Sequence, residues 1–352
     1  MSRKLISLSA IATLMGGTAM ADVPNVAVDI APVHSLVARV MEGVGTPTLL
    51  LPPGASPHEY SLRPSEATAL QDADIVVWMG EDLAPWMEGA ITTLAGDARV
   101  LTLLDADETM LLDFREGALF EEHGHEDEHD DADHAEDEHG HEAEHDNEAH
   151  AESGQDHENE HDHEEHAEDA HDNDEDDHAH DHGAYDSHAW LSPSNAARWF
   201  NLIAAELSSA DPENAGAYFA NAAAGQAELE TLNAQVNATL EPVRGGSFIV
   251  FHDGYQYFEA DFDFPASGAI SLSDATDPSP ARIAEIQKRV REEGIDCVLT
   301  EPQFNPGIVA TVLEGTQANT GVSDPLGSDL EPGPALYPQL IRNLATTLAD
   351  CM

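Results

Sequence analysis

Outside one internal tract, short apolar runs alternate along the chain with stretches whose apolar residues recur every three or four positions. Runs at 26–30, 48–51, 75–79 and 100–103 predict strands, and helical spacing covers 35–42, 65–72 and 84–94. Strands alternating with helices in this way build βα units on a parallel sheet. Ser192-Pro193 then supplies an N-cap with proline at the first helical position and predicts a helix to about residue 208. Asp211-Pro212 opens the longest helical pattern. Ala215, Tyr218, Phe219, Ala222, Leu229, Leu232, Val236 and Leu240 keep the three-four spacing until Pro242 and Gly245-Gly246 end it. About 28 residues at a rise of about 1.5 Å each reach about 40 Å, more than is needed to cross one small domain. Alternation resumes with strands predicted at 248–251, 269–272, 297–300 and 321–323, helices after Ser279-Pro280 and Asn305-Pro306, and a last helix over 338–350. The fold class expected is α/β: two βα lobes with mostly parallel sheets, over 22–210 and 243–352, bridged by one long rigid helix within 211–242.

The tract that breaks the pattern is 121–183, 63 residues with 30 Asp or Glu, 16 His, no Lys or Arg, and almost nothing apolar larger than Ala. Such a segment cannot bury enough apolar surface to fold alone and is expected to be a disordered insert. It also changes how the charge is read. The 352 residues carry 69 acidic and 13 basic side chains, a formal net charge of −56, but outside the tract the charge is only −26 and four histidines remain. Nucleic acid and anionic membrane surfaces are thereby excluded as partners, because their binders present clustered Lys and Arg.

The first 21 residues read as a secretory signal: Arg3 and Lys4, a short apolar stretch over 5–15, and Ala19-Met20-Ala21 as the cleavage site, leaving Asp22 first. No other long apolar run exists, so a soluble periplasmic monomer without direct membrane insertion is expected. In that oxidising compartment Cys297 and Cys351 are expected to form a disulfide, stabilising the fold by up to about 4 kcal/mol in the chain-entropy account.

The four histidines outside the tract stand in different contexts. His58 lies in the turn-rich loop Pro52-Pro53-Gly54-Ala55-Ser56-Pro57-His58-Glu59-Tyr60, His188 just ahead of the Ser192-Pro193 helix start, and His252 at the end of a strand. Strand ends and loop edges are where α/β folds build ligand sites. Three neutral imidazoles suit Zn²⁺ and leave a fourth position for oxygen. His34 follows Pro32-Val33 and reads as a hydrogen-bonding residue at a helix start.

These residues sit in motifs with a family likeness. GASPHEYSLRPS at 54–65, DSHAWLSP at 186–193, FHDGYQYFE at 251–259, TEPQF at 300–304 and DPLG at 324–327 occur in order over nearly the whole chain. Together they resemble the periplasmic zinc-binding component of high-affinity zinc ABC importers, solute-binding proteins with two lobes bridged by one rigid helix. The acidic His-rich insert and the cysteine pair are further points of likeness. The resemblance implies Zn²⁺ as the bound metal, a membrane permease as partner, and no catalysis. It implies His58, His188 and His252 as ligands, with Asp324 or water in the fourth position and Glu301 as an acceptor for an imidazole N–H behind them. Some members carry Glu just before the first ligand; here that residue is Pro57. A nitrogen at 252, where manganese-preferring relatives carry a carboxylate, favours zinc.

The zincin pattern H-E-x-x-H starts at His125, His141 and His157, 16 residues apart. All three belong to one copied unit, H-E-x-E-H-D-x-x-x-H-A-E, which also aligns His134, His150 and His166. Repetition in a biased tract explains them better than a secreted zinc-dependent hydrolase does. A transporter-independent zinc storage or chaperone protein differs from the importer reading only in its partner. The tract's His123, His125, His129, His134, His139, His141, His145, His150, His157, His161, His163, His166, His171, His178, His180 and His182 are expected to gather zinc weakly, as scavenger or sensor, with shifting partners. Removing 121–183 should leave one tight zinc site and abolish the weak ones in a calorimetric titration; loss of the tight site would show that the tract supplies its ligands.

Overall fold

In a computed structural model, residues 23–115, 120, 185–272 and 278–352 are described, and all belong to a single unit, 1–121 with 181–352. The expected signal segment and the whole acidic tract, 121–183, lie outside the described residues. Strands β1 (Val26–Val28), β2 (Thr48–Leu49), β3 (Ile75–Trp78) and β4 (Arg99–Thr102) form one parallel sheet in the order β2-β1-β3-β4. A second parallel sheet repeats that order as β6-β5-β7-β8, with β5 (Phe248–His252), β6 (Ala269–Ser271), β7 (Cys297–Thr300) and β8 (Asn319–Val322). The helices are α1 (Ala31–Val40), α2 (Pro64–Gln71), α3 (Pro85–Leu94), α4 (Pro193–Ala210), α5 (Ala215–Leu240), α6 (Gln256–Phe262), α7 (Pro280–Glu293), α8 (Pro306–Leu313) and α9 (Leu336–Cys351). Among the described residues no helix is long and apolar enough to cross a membrane.

Alternation within the strands separates three apolar layers. Ala27, Val76 and Trp78 pack outward against α2 and α3, while Ile249, Phe251, Ile270 and Val298 pack outward against α7 and α8. The opposite faces, Val26, Val28, Ile75 and Val77 of one sheet and Phe248, Val250, Cys297 and Leu299 of the other, belong to one shared core with α1, α4, α5 and α9. A strand's side chains alternate with period two, so the face of each strand-end residue follows from this parity.

The long helix starts three residues later than Pro212 suggested. Asp211 is buried and accepts hydrogen bonds from the Asn214 side chain (2.7 Å) and the Tyr218 hydroxyl (2.8 Å), so 211–214 forms a turn before α5. Buried Tyr218, Ala222, Leu229, Leu232, Val236 and Leu240 then face α1, α4 and α9. Gly225 lets α5 approach α4 closely: a Cβ there would stand 2.6 Å from the buried Phe200 ring. The disulfide is present, joining β7 at Cys297 to the end of α9 at Cys351 with a Cα–Cα distance of 5.5 Å. α6 was not foreseen, because its seven residues QYFEADF are rich in aromatics and too short to display helical spacing.

The corresponding ends of the two sheets hold different chemistry. After β1, the buried Asp29 carboxylate accepts the backbone N–H groups of Ile30 and Met79, each at 2.7 Å, tying the ends of β1 and β3 together. Burial pushes its carboxyl up to about 7, against the lowering effect of those bonds. His34 behaves as expected at a helix start: buried, it donates from Nε2 to the Pro47 carbonyl (3.1 Å), and burial lowers its pKa. Below pH 3.8 Asp29 is protonated in both folded and unfolded chains; between 3.8 and about 7 only the unfolded chain ionises, so this group lowers stability as pH rises. Asp29→Asn should therefore gain on the wild type across that window in urea unfolding, and a pH-independent difference would contradict the shift.

Candidate metal centre

The second sheet brings its candidate residues together by register. Phe248 pairs with Cys297 and Ile249 with Val298, so the same offset places His252 beside Glu301 as the chain leaves the two central strands. Both share the parity of Phe248, Val250, Cys297 and Leu299 and face the shared core. Both are almost fully buried, and His252 Nδ1 donates to Glu301 Oε1 at 2.6 Å. Glu301 also accepts from the Gln303 amide at 2.8 Å. Glu301 thus lies behind the His252 ring as the acceptor of its N–H.

His188 arrives from the other side, on a tight turn rather than a strand. Ala189–Leu191 forms a single 3-10 turn, and Ser192 caps α4 by accepting from the Asn195 N–H at 3.0 Å. Trp190 anchors the turn by donating to the Pro325 carbonyl (2.8 Å), while the Tyr337 hydroxyl donates to the Trp190 carbonyl (2.9 Å). Asp186 Oδ1 accepts from both the backbone N–H (2.9 Å) and Nδ1 (2.8 Å) of His188. The sequence had shown the motif DSHAWLSP without giving Asp186 a role; a carboxylate two residues before a histidine was the available signal.

A carboxylate can only accept, so Nδ1 is the donor in both rings, and in the neutral imidazole each Nε2 presents its lone pair. These two nitrogens stand 3.3 Å apart. Two ligands about 2.0–2.1 Å from a tetrahedral Zn²⁺ are themselves about 3.3–3.4 Å apart, so the pair is spaced as one edge of such a site. Gly254 leaves room beside it: a Cβ at that position would lie 2.3 Å from His252 Nε2. The donor set and the cleared space fit a divalent ion.

His58 is near but outside this pair. Its half-buried ring lies with its centroid 6.1 Å from that of His188, against 5.1 Å between His188 and His252. The His58 loop is anchored by Trp86, whose Nε1 donates to the Pro57 carbonyl at 2.7 Å. Among the described residues no group of three His, Cys, Asp or Glu side chains is already gathered for a metal ion. Asp324 turns its carboxylate into its own loop, where Oδ1 accepts from the Leu326 and Gly327 N–H groups (2.9 and 3.1 Å) and Oδ2 from Ser328 N–H (2.7 Å) and its hydroxyl. A cavity of about 280 Å³ lined by Pro57, Gln303, Phe304, Asp324, Leu326 and Ser328 opens beside these loops, room for several waters. The sixteen insert histidines lie outside the described residues.

Residues 26–351 match the protein family described as zinc-uptake complex component A, periplasmic. The chain belongs to this family. It is 44% identical over 342 residues, 97% of this chain and 96% of the relative, to the high-affinity zinc uptake system protein ZnuA of Brucella abortus (strain 2308). Identity to the ZnuA of Paracoccus denitrificans (strain Pd 1222) is 43% over 335 residues, covering 95% and 93% of the two chains. The fold agrees with a crystal structure of ZnuA at a TM-score of 0.65 and 21% identity, covering 94% of this chain and 99% of that one. A zinc-bound ZnuA deletion mutant gives a TM-score of 0.65 at 22% identity over 94% and 98% of the chains. Family members are binding components of an uptake system and not enzymes, which removes the hydrolase alternative.

In metal-free protein above the histidine pH range, long-range proton–nitrogen spectra should place the ring proton of His188 and of His252 on Nδ1. An Nε2–H tautomer in either ring would contradict the carboxylate pairing.

Proposed function

We propose that this protein captures Zn²⁺ in the periplasm and delivers it to the membrane permease of an ABC importer. The observation that carries the reading is the His188–His252 pair, two imidazoles at tetrahedral spacing, each oriented by its own carboxylate, Asp186 or Glu301. His58 supplies the third nitrogen by moving inward from its loop when the ion arrives. Water takes the fourth position, because the Asp324 carboxylate is already engaged by its own loop. Asp186 and Glu301 offset the charge that the ion brings, and they raise the basicity of the nitrogens that bind it. Nitrogen donors favour Zn²⁺ over harder ions such as Mn²⁺, while Cu²⁺ competes in vitro by the general affinity order.

Family membership supports the periplasmic setting and the permease as partner. In this reading the mature chain follows cleavage after Ala21, and the lobes over 22–210 and 243–352 are held by the helix within 211–242. The histidines of 121–183 collect zinc near the site without supplying its tight ligands.

A zinc titration of the wild type and of His58→Ala, His188→Ala and His252→Ala tests the assignment. Each substitution should weaken the tight site by more than the about 10–100-fold that outer residues behind a metal ligand cost. A substitution that leaves the affinity unchanged removes that residue from the site.

A further inference from the structure

His188 and His252 come from separate parts of the chain, and each ring's carboxylate comes from beside it in sequence or in its own sheet. Neither carboxylate therefore fixes the distance between the rings. The segment 112–115 touches both sides. At one end the Leu112 carbonyl accepts the Asp186 N–H (2.9 Å), and Asp113 forms an antiparallel bridge with Tyr185. At the other, the Arg115 guanidinium spans two acids of the chain that follows His252. Its Nε donates to Asp253 Oδ2 (3.0 Å), Nη1 to Glu259 Oε2 (2.9 Å), and Nη2 to Glu259 Oε1 (3.0 Å) and to Asp253 Oδ1. Between these ends the Tyr257 hydroxyl donates to the Asp186 carbonyl (2.7 Å) and accepts from the Leu112 N–H (3.1 Å).

The clamp has the features of a strong ion pair. Asp253 and Glu259 are 3% and 5% exposed, so losing Arg115 would leave two buried carboxylates without their cation. The planar fork meets both acids at once, which a lysine ammonium cannot reproduce. The Phe120 ring lies against the guanidinium, its centroid 3.6 Å from Cζ. Asp253 immediately follows His252, and the next residue, Gly254, lies against His252 Nε2. Holding Asp253 therefore holds the backbone on which the second imidazole rests.

We infer that residues 112–115 form a splint that sets the spacing of His188 and His252, with Arg115 as the positioning residue that anchors it to the His252 side. The inference rests on reading that pair as part of the zinc site. Arg115 touches neither ring; it acts through Asp253.

A double-mutant cycle on zinc affinity tests this, using full-length wild type, Arg115→Gln, Asp253→Asn and the double variant, each titrated with zinc against a competing chelator. Melting temperatures check folding, and the visible spectrum of the Co²⁺-loaded proteins reports the geometry at the ion. Each single substitution should weaken zinc binding about tenfold or more, and the double should lose little beyond the larger single loss. The Co²⁺ bands should change in Arg115→Gln, and Arg115→Lys should restore only part of the affinity. Wild-type affinity and an unchanged Co²⁺ spectrum in Arg115→Gln, or losses that simply add, would overturn the splint. Should Arg115→Gln fail to fold, Arg115→Lys is read by the same affinity and spectrum, and wild-type values in both overturn it. A wild type lacking any tight zinc site defeats the functional reading itself, whereas tight wild-type binding with unaffected Arg115 variants defeats only the splint.

Discussion

Two lone pairs aimed at one point are the constraint on which the rest of the site depends. His188 and His252 each give their Nδ1 proton to a buried carboxylate, so their Nε2 atoms confront one another at 3.3 Å. Without a proton or a metal ion between them, such an arrangement is repulsive; a divalent cation would turn it into one edge of a coordination shell. In the proposed zinc site the fold holds this geometry in place before metal arrives, so less ordering has to be supplied at the moment of binding.

The surrounding frame explains how that is sustained. Both sheets turn one face to a common core, and the parity of β5 and β7 sends His252 and Glu301 to that face together. Trp190 bonded to Pro325, Tyr337 bonded to Trp190, and the Tyr337 N–H donated to Ser35 at 2.9 Å connect the His188 turn with both sheets' helices. The Cys297–Cys351 link fastens α9, which contributes Tyr337, to the strand that precedes Glu301. The other sheet shows what the same topology does without a ligand role: Asp29 closes the ends of β1 and β3 with backbone hydrogen bonds alone. A ligand site arises where the equivalent crevice is furnished with an imidazole and an acceptor.

Much of this was legible along the chain because it rests on local periodicity. Every strand was placed, although several are shorter than their apolar runs, and the helix starts marked by Ser192-Pro193, Ser279-Pro280 and Asn305-Pro306 are where the proline signal put them. His252 at a strand end could be read from the apolar run 248–251, and Glu301 behind an imidazole was given by the resemblance alone. What escaped depends on distant partners. Arg115 lies 138 positions from Asp253, and nothing in its neighbourhood announces a clamp. Asp324 is a local case instead: Leu326, Gly327 and Ser328 just beyond it supply donors that occupy a carboxylate whose motif alone made it look available. His58 shows a different limit: its loop brings it close to His188, with ring centroids 6.1 Å apart, but among the described residues no third ligand side chain is gathered with the other two.

The central claim is that the tight site is a three-imidazole shell and not the two-imidazole pair alone. X-ray absorption at the zinc edge, on protein lacking 121–183 and loaded with one equivalent of Zn²⁺, counts those rings directly. The account predicts three imidazole nitrogens at about 2.0–2.1 Å and one oxygen. A shell with two imidazoles, or one completed mainly by carboxylate oxygens, would contradict it.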